Sequence, residues 1–149
     1  MTTTDTKSQQ ALHVGEALLE AFNTADWPGF RELLAPGVVY EETGTGRRLE
    51  GVEAYMTALA GWKQAIPDGR GRIRQSIASG DTAIFELVWE GTHSGPLETP
   101  GGAIPATGRQ IFVQAALAST LQDGKVTSVR HYLDVLALLQ QIGAIPAPG

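Results

Sequence analysis

The chain of 149 residues contains no cysteine. This absence excludes disulfide scaffolds, thiolate zinc sites and cysteine nucleophiles, and it fits a cytoplasmic protein. Basic residues are also few, since 11 Lys and Arg stand against 16 Asp and Glu and leave a formal charge of -5. That charge has the wrong sign for binding nucleic acid phosphates. We therefore expect no nucleic acid partner.

Long apolar runs are missing as well. No stretch approaches the roughly 20 apolar residues that a helix needs to cross a bilayer, so we expect no association with a membrane. The first ten residues, MTTTDTKSQQ, lack the basic and apolar regions of a secretory signal. We expect residues 1–149 to form a single domain in which residues 1–7 are a flexible tail.

Common signatures of cofactor and metal sites are absent from the sequence. There is no GxGxxG, P-loop, GxSxG or HExxH motif, and the three histidines are scattered at positions 13, 93 and 131. We expect no cofactor and no metal ion. Any chemistry must then use carboxylate, phenol, imidazole or guanidinium groups.

The apolar periodicity predicts helices early in the chain and long strands late. Helical spacing predicts helices over residues 8–23, 27–35 and 52–66, and a final helix after Asp134. Alternation and turn signals predict strands over residues 38–43, 72–78, 82–92, 109–122 and 126–133, with a long loop at residues 94–108. This order is typical of an α+β fold.

The C-terminal segment DGKVTSVRHYLDVLALLQQIG combines a turn, a strand, one carboxylate and an apolar helix. Alternation along the strand places Arg130, Tyr132 and Asp134 on one face. If that face looks into a pocket, Tyr132 or Arg130 could hold a ligand oxygen while Asp134 moves a proton. Alternatively, Asp134 caps the final helix. The residues alone leave both interpretations open.

Two further strands carry candidate pocket residues. Phe85, Trp89 and His93 share one face, which suits a pocket for a flat hydrophobic ligand with a histidine at its rim. The alternative is plain core for the aromatic residues and a loop anchor for His93. Tyr40 and Glu42 also share a face; Glu42 could be a second proton carrier, although we interpret it as part of a solvated strand edge.

Several segments together resemble the SnoaL-like polyketide cyclases of the nuclear transport factor 2 (NTF2)-like superfamily. The resemblance covers nearly the whole chain. It rests on LLAPGVVYEE (33–42), EGVEAY (50–55), AIPDGR (65–70), WEGTHSG (89–95), PATGR (105–109) and the C-terminal DGKV and YLDVLALLQQIG.

The resemblance implies a cone in which about three N-terminal helices and a short C-terminal helix wrap a strongly curved, mixed or antiparallel sheet around an apolar pocket. It also implies a homodimer formed through the outer face of the sheet. In these cyclases the acid at the strand-to-helix junction is the general acid/base of a cofactor-free aldol ring closure on an aromatic polyketide ester. Asp134 matches that acid, and the resemblance favours this role over a simple cap.

The same resemblance assigns one further site residue. His93 matches the histidine of the GTHxG motif and is expected to act with Asp134 or to shape the pocket rim. The substrate that the resemblance implies is a small hydrophobic polycyclic compound of the kind found in antibiotic biosynthesis. We expect it to contact five side chains that strand alternation singles out: Tyr132, Arg130, Trp89, Tyr40 and Phe85.

Other functions of related proteins stay open. Arg130, Tyr132 and Asp134 reproduce an R-x-Y-x-D pattern of limonene epoxide hydrolases, but Trp89, Gly91 and His93 stand where those enzymes have an Arg-x-Asp pair. Ketosteroid isomerases place their base close to Glu42. Hydroxylation support, isomerisation, epoxide opening and a non-catalytic binding or dimerisation module therefore remain alternatives.

Overall fold

The computed structural model describes residues 3–147, which form four helices and eight strands. The helices are α1 (Thr3–Asn23), α2 (Trp27–Glu32), α3 (Val52–Ala65) and α4 (Val135–Gln141). The strands are β1 (Leu34–Glu42), β2 (Arg47–Glu50), β3 (Arg70–Ser79), β4 (Thr82–Thr92), β5 (Leu97–Thr99), β6 (Gly102–Ile104), β7 (Gln110–Gln122) and β8 (Lys125–Leu133). Across this range, no helix combines the length and the apolar character needed to cross a membrane.

Six of the strands form one curved sheet in the order β2-β1-β8-β7-β4-β3. Strands β1 and β8 run parallel, and the other neighbouring strands run antiparallel. Strands β5 and β6 pair separately as a short antiparallel ribbon. The predicted α+β class with a curved, mixed sheet and one C-terminal helix is confirmed.

Helix α1 lies across the inner face of the sheet because its apolar side chains repeat at helical spacing. Ala11, Val14, Leu18 and Phe22 are buried, and the helix contacts β3, β4 and β7. At Gly15 a Cβ atom would lie only 2.3 Å from Cε2 of Phe85. The absence of a side chain at this position therefore lets the helix approach the sheet.

The buried apolar residues form two groups. The larger group joins the first three helices to the sheet. The smaller group joins the end of α3 to α4 and the start of β7, and includes Ala65, Ile111, Val113, Leu138 and Ile142. A cavity lined by members of both groups lies between the helices and the sheet.

The N-terminal prediction needs a correction. Helix α1 begins at Thr3, whereas the sequence predicted a helix start at Ser8 and a flexible tail over residues 1–7. Residues 3–7 are helical, and residues 1 and 2 lie outside the described range. Polar residues such as Thr6 and Lys7 carry no apolar periodicity, which is why the pattern did not reveal this first part of the helix.

One strand prediction needs correction, and three short strands were not predicted. Strand β1 begins at Leu34 and passes through Pro36 and Gly37, where its register with β8 shifts. Proline is tolerated in such irregular strand segments. Strand β2 and the ribbon of β5 and β6 were not predicted, since each has only three or four residues and no clear alternation of apolar and polar residues.

Two glycines in helices give a matched test of the close approach at α1. Gly15→Ala places a methyl group against the buried Phe85 ring, so we expect it to reduce the free energy of unfolding by about 1–3 kcal/mol. Gly61→Ala, in α3, meets nothing within 4 Å and should be neutral or stabilise by up to about 1 kcal/mol. Urea denaturation of both variants measures the difference; equal stabilities would contradict the tight contact.

Candidate functional site

A largely apolar cavity lies between the helices and the inner face of the sheet. Ile111, Leu133 and Leu138 line the end beside α4, whereas Phe30 and Phe85 line the end beside α1 and α2. Such a space suits a hydrophobic ligand of small size that meets a few polar groups. The predicted apolar pocket is therefore present.

A chain of hydrogen bonds crosses one wall of the cavity. The indole N–H of Trp89 lies 3.0 Å from Nε2 of His131, and Nδ1 of His131 lies 2.9 Å from the hydroxyl oxygen of Tyr40. The Tyr40 hydroxyl lies 2.6 Å from Oε2 of Glu42. We call these four residues the buried chain. Strand pairing sets its geometry, because Glu42 on β1 is directly opposite His131 on β8.

The chemistry of the donors assigns each proton in the buried chain. An indole N–H can only donate, so Nε2 of His131 accepts from Trp89 and carries no proton. A neutral imidazole then has its proton on Nδ1, which donates to the Tyr40 oxygen. The Tyr40 hydroxyl in turn donates to Glu42. The bonds therefore run in one direction, from Trp89 to the carboxylate.

The Glu42 carboxylate has no exposure to solvent and accepts hydrogen bonds from several elements. Besides Tyr40, its Oε2 accepts from the Trp62 indole at 2.9 Å and from the Arg47 guanidinium at 2.9 Å. Its Oε1 accepts from the Thr45 hydroxyl at 2.9 Å. Burial alone would raise the pKa of Glu42, but these hydrogen bonds and the Arg47 charge lower it below its ordinary value. Glu42 is therefore ionised at neutral pH.

Burial has a strong effect on the other two titratable members of the buried chain. It lowers the pKa of His131 to about 4, although the nearby Glu42 charge acts in the opposite direction. Burial, followed by the Glu42 charge, raises the pKa of Tyr40 well above its ordinary value. At neutral pH the site thus holds a neutral imidazole and a neutral phenol beside one carboxylate. Over residues 3–147, no group of three or more His, Cys, Asp or Glu is arranged to hold a metal ion.

Three of the residues predicted to bind substrate lie in the cavity wall. Trp89, Tyr40 and Phe85 all line the cavity, and Phe85 and Tyr40 are almost fully buried. Tyr40 and Glu42 lie on the same face of β1, as strand alternation predicts. However, the interpretation of Glu42 as part of a solvated strand edge is wrong, because its carboxylate is fully enclosed.

The predicted polar face of β8 points away from the cavity. Val129, His131 and Leu133 line the cavity, so the alternating residues Arg130 and Tyr132 lie on the outer face of the sheet, where Tyr132 is 48% exposed. The expectation that this face looks into the pocket is therefore wrong. Contact of Arg130 and Tyr132 with substrate stays a prediction. Their position on the outer face of the sheet does not favour it.

Asp134 occupies the cap position of α4. Its Oδ1 accepts a hydrogen bond of 3.0 Å from the backbone N–H of Ala137, and its side chain is exposed rather than part of the cavity wall. The local geometry is that of an N-terminal helix cap. A catalytic role for Asp134 stays a prediction. The polar groups in the cavity wall belong to other residues, among them Tyr40 and His131.

His93 lies at the base of the loop between β4 and β7, outside the cavity wall. The residue is buried, and its Nδ1 lies 2.9 Å from the Thr107 hydroxyl. Its carbonyl oxygen accepts from the backbone N–H groups of Thr107 and Gly108, and its own N–H donates to the carbonyl of Arg109. This position matches the loop-anchor alternative. Its catalytic role stays a prediction.

His131 and Trp62 were not predicted as site residues from the sequence. The signal for His131 was available, because it alternates with Val129 and Leu133 on the apolar face of β8. An apolar face normally points inward, so a lone histidine on that face is a candidate for the pocket. Trp62 offered only helical spacing in α3, and nothing nearby in the sequence indicated its bond to Glu42.

The fold and the cavity together define a helix-covered cone of the NTF2-like class. The family model described as SnoaL-like polyketide cyclase matches residues 12–142, so the chain belongs to this family. The predicted resemblance is confirmed. The chain matches no curated protein sequence.

Solved structures share this fold. A protein from Jannaschia sp. CCS1, provisionally assigned as a SnoaL-like polyketide cyclase, is 22% identical with a TM-score of 0.82, covering 93% of this chain and 95% of that one. IdmH from Streptomyces antibioticus, provisionally assigned as a polyketide cyclase, is 27% identical with a TM-score of 0.76, covering 90% and 99%. A protein of ketosteroid isomerase-like fold from Catenulispora acidiphila is 20% identical with a TM-score of 0.72, covering 87% and 92%.

The low pKa of His131 predicts a loss of stability in mild acid. The unfolded chain binds a proton at this histidine near its ordinary pKa of 6.5, whereas the folded state does so only near 4. Stability is therefore complete above pH 6.5 and falls as the pH is lowered towards 4, by about 3 kcal/mol from this group.

Urea denaturation across this pH range measures the effect. His131→Gln should be less stable at pH 7 because it loses the bonds to Trp89 and Tyr40, but its stability should fall less between pH 6.5 and 4.5. The same pH dependence in the variant and in the wild-type protein would contradict the assigned pKa.

Proposed function

We propose that this chain is a cofactor-independent enzyme that moves a proton on a hydrophobic aromatic ketone or ester, with His131 as the proton acceptor and donor. The observation that carries the proposal is a neutral imidazole in the wall of an apolar cavity, connected through Tyr40 to a buried carboxylate. Membership of the polyketide cyclase family supports ring closure by aldol addition as the overall reaction.

The first step transfers one proton from the substrate to the protein. Nε2 of His131 removes a C–H proton next to a carbonyl group, and the electron pair of that bond forms the enolate. The Nδ1 proton of His131 shifts towards Tyr40, whose hydroxyl proton shifts towards Glu42, so the carboxylate stabilises the charge that the imidazole gains. This relay offsets the low basicity that burial gives to His131.

The same step releases a hydrogen-bond donor at the place where negative charge develops. In the resting structure the Trp89 indole N–H is bound to Nε2 of His131. When the substrate C–H takes its place, the indole N–H is free to donate to the enolate oxygen. In ring closure the enolate carbon then adds to a second carbonyl, and the proton held by His131 returns to the new alkoxide.

A non-catalytic ligand-binding module is the second candidate. The observation that favours it is the same bond between Trp89 and His131, because it occupies the imidazole lone pair in the resting state. If no substrate displaces the indole, the cavity binds ligands without changing them. The two candidates therefore differ in proton exchange, not in binding.

Deuterium exchange into 2-tetralone, a bicyclic aromatic ketone with acidic benzylic C–H groups, tests the proposal by NMR in D₂O. The wild-type protein should accelerate the exchange, and His131→Gln should reduce that acceleration by about 10²- to 10⁴-fold, the usual contribution of a positioned base. Asp134→Asn is the matched control, because asparagine also caps helices, and should keep the wild-type rate.

Two other outcomes would contradict the proposal. Loss of exchange in Asp134→Asn, with full exchange in His131→Gln, would identify Asp134 as the catalytic group. Saturable binding of 2-tetralone without any accelerated exchange would favour the binding module. Thermal unfolding of both variants and binding of 2-tetralone show whether each is folded with an intact cavity.

We also propose that the chain forms a homodimer through the outer face of its sheet. Ile77, Ile84, Phe112 and Tyr132 are exposed there, and such side chains are enriched in interfaces. Sedimentation equilibrium should give twice the chain mass of 15.8 kDa, reduced to the single mass by Ile84→Glu. A single-chain mass for the wild-type protein would contradict the dimer.

A further inference from the structure

Arg47 on β2 is the only cation among residues 3–147 that pairs with the buried Glu42 carboxylate. Strand pairing places the two residues directly opposite each other, and Nη2 of Arg47 lies 2.9 Å from Oε2 of Glu42. The Glu42 side chain has no exposure to solvent, whereas that of Arg47 is 38% exposed and is not part of the cavity wall. Arg47 therefore contacts the buried chain from the protein surface and not from the cavity.

Hydrogen bonding alone does not explain an arginine at this position. Three neutral groups, those of Tyr40, Trp62 and Thr45, already donate to the two oxygens of Glu42. The Nε–H group of Arg47 is buried and has no hydrogen-bond partner among the described residues. A buried donor in that state is costly, and a bidentate pair with the carboxylate would make fuller use of the guanidinium. The distinct contribution of Arg47 is thus its charge.

The Arg47 charge acts on all three titratable members of the buried chain. Burial is the largest influence on the pKa of Glu42, of His131 and of Tyr40. Alongside burial, the positive charge of Arg47 lowers each of these pKa values. The three effects have the same sign because a proton added anywhere in the chain brings positive charge towards the guanidinium.

The other titratable groups around His131 leave Arg47 with one opponent. The Glu42 charge acts on the imidazole in the opposite direction, since a carboxylate favours the protonated ring. Tyr40 and the stacked Tyr55 of α3 are phenols whose pKa burial raises, so both are neutral. The groups that face the ring from β4 and β7 are an indole and a leucine side chain, which carry no charge. Glu42 and Arg47 therefore decide how readily the buried chain takes up a proton.

From these observations we propose that Arg47 is a positioning residue whose charge extends to lower pH the range in which His131 is free to accept a proton from the substrate. With Arg47 in place, the Glu42 charge is balanced from the surface and attracts a proton into the chain less strongly. Without Arg47, the chain takes up a proton from solvent at a higher pH, before substrate supplies one. The effect on catalysis rests on the proposed function, whereas the effect on proton uptake does not.

NMR titration of the protein labelled with ¹⁵N-histidine and ¹³C-carboxyl glutamate measures proton uptake at His131 and Glu42. Arg47→Gln removes the charge but keeps an N–H donor for Glu42, and Arg47→Met removes both. In each variant we expect the first proton to bind about one pH unit higher than in the wild-type protein, at about 5 and not at about 4. Arg47→Lys keeps the charge and should titrate close to the wild-type protein, because the native contact is a single hydrogen bond.

Arg48→Met is the matched control. Arg48 is the next residue on β2, its side chain is 56% exposed, and it pairs with Glu41 and Glu50 instead of Glu42. The substitution removes the same charge from the same strand, so it should leave the titration unchanged. Amide chemical shifts at pH 7 show that each variant is folded.

The pH dependence of deuterium exchange into 2-tetralone gives a second readout. Only the unprotonated chain accepts a proton from the ketone. At pH 5 the wild-type protein should therefore keep about nine-tenths of its rate at pH 7, and Arg47→Gln about half. A residue with a merely structural role would lower the rate equally at both pH values.

The outcomes separate the two proposals. Titration of both charge-removing variants at the wild-type pH, or an equal rise in Arg48→Met, would overturn the role of Arg47 and leave the proposed function intact. A raised titration with an unchanged pH dependence of exchange would also overturn that role, because proton uptake would then not limit the reaction. Absence of any exchange with the wild-type protein would overturn the proposed function, while a raised titration would still support the charge effect of Arg47.

Discussion

A carboxylate that is fully enclosed by protein must be matched by hydrogen-bond donors, and the arrangement around Glu42 shows how this requirement organises the fold. Its donors come from β1, from the turn after β1, from β2 and from α3. The Glu42 carboxylate therefore links strands β1 and β2, at the edge of the sheet, to helix α3 by hydrogen bonds. Removing the carboxylate would leave several donors without a partner in an apolar setting, so Glu42 stabilises this part of the fold.

The same carboxylate controls the state of His131 at a distance. Glu42 accepts the Tyr40 proton, which directs the Tyr40 oxygen towards His131 as an acceptor, and Trp89 fixes the other side of the imidazole. The ring is thereby held in one orientation and one tautomer before any ligand arrives. Pre-organisation of this kind is what a proton-transfer site needs, because the base does not have to reorient during the reaction.

Much of the fold was predictable because it depends on local signals. The bounds of β4 match the prediction, and those of β7 and β8 differ by one residue, since long β-rich runs end at clear turns such as that of Asp123 and Gly124. The class followed from the order of helices and strands. The short strand β2 and the ribbon of β5 and β6 were missed because three or four residues carry too little pattern to distinguish a strand from a loop.

The candidate site was harder to predict because its contacts are distant in sequence. Tyr40 and His131 are 91 positions apart and meet only because β1 runs parallel to β8, a pairing that no local pattern indicates. The polar face of β8 was expected to face the pocket, yet the apolar face with its single histidine does so. In an apolar cavity one polar group among apolar neighbours is a better candidate than a row of polar groups, which burial would penalise.

The buried chain holds His131 as a neutral imidazole with its proton on Nδ1. Nitrogen chemical shifts of the protein labelled with ¹⁵N-histidine report this state directly at pH 7. We expect a protonated Nδ1 and an unprotonated Nε2 for His131, and we expect this assignment to be lost only when both partners are removed, in the double variant Trp89→Phe and Tyr40→Phe. An imidazolium, or a proton on Nε2, in the wild-type protein would contradict it.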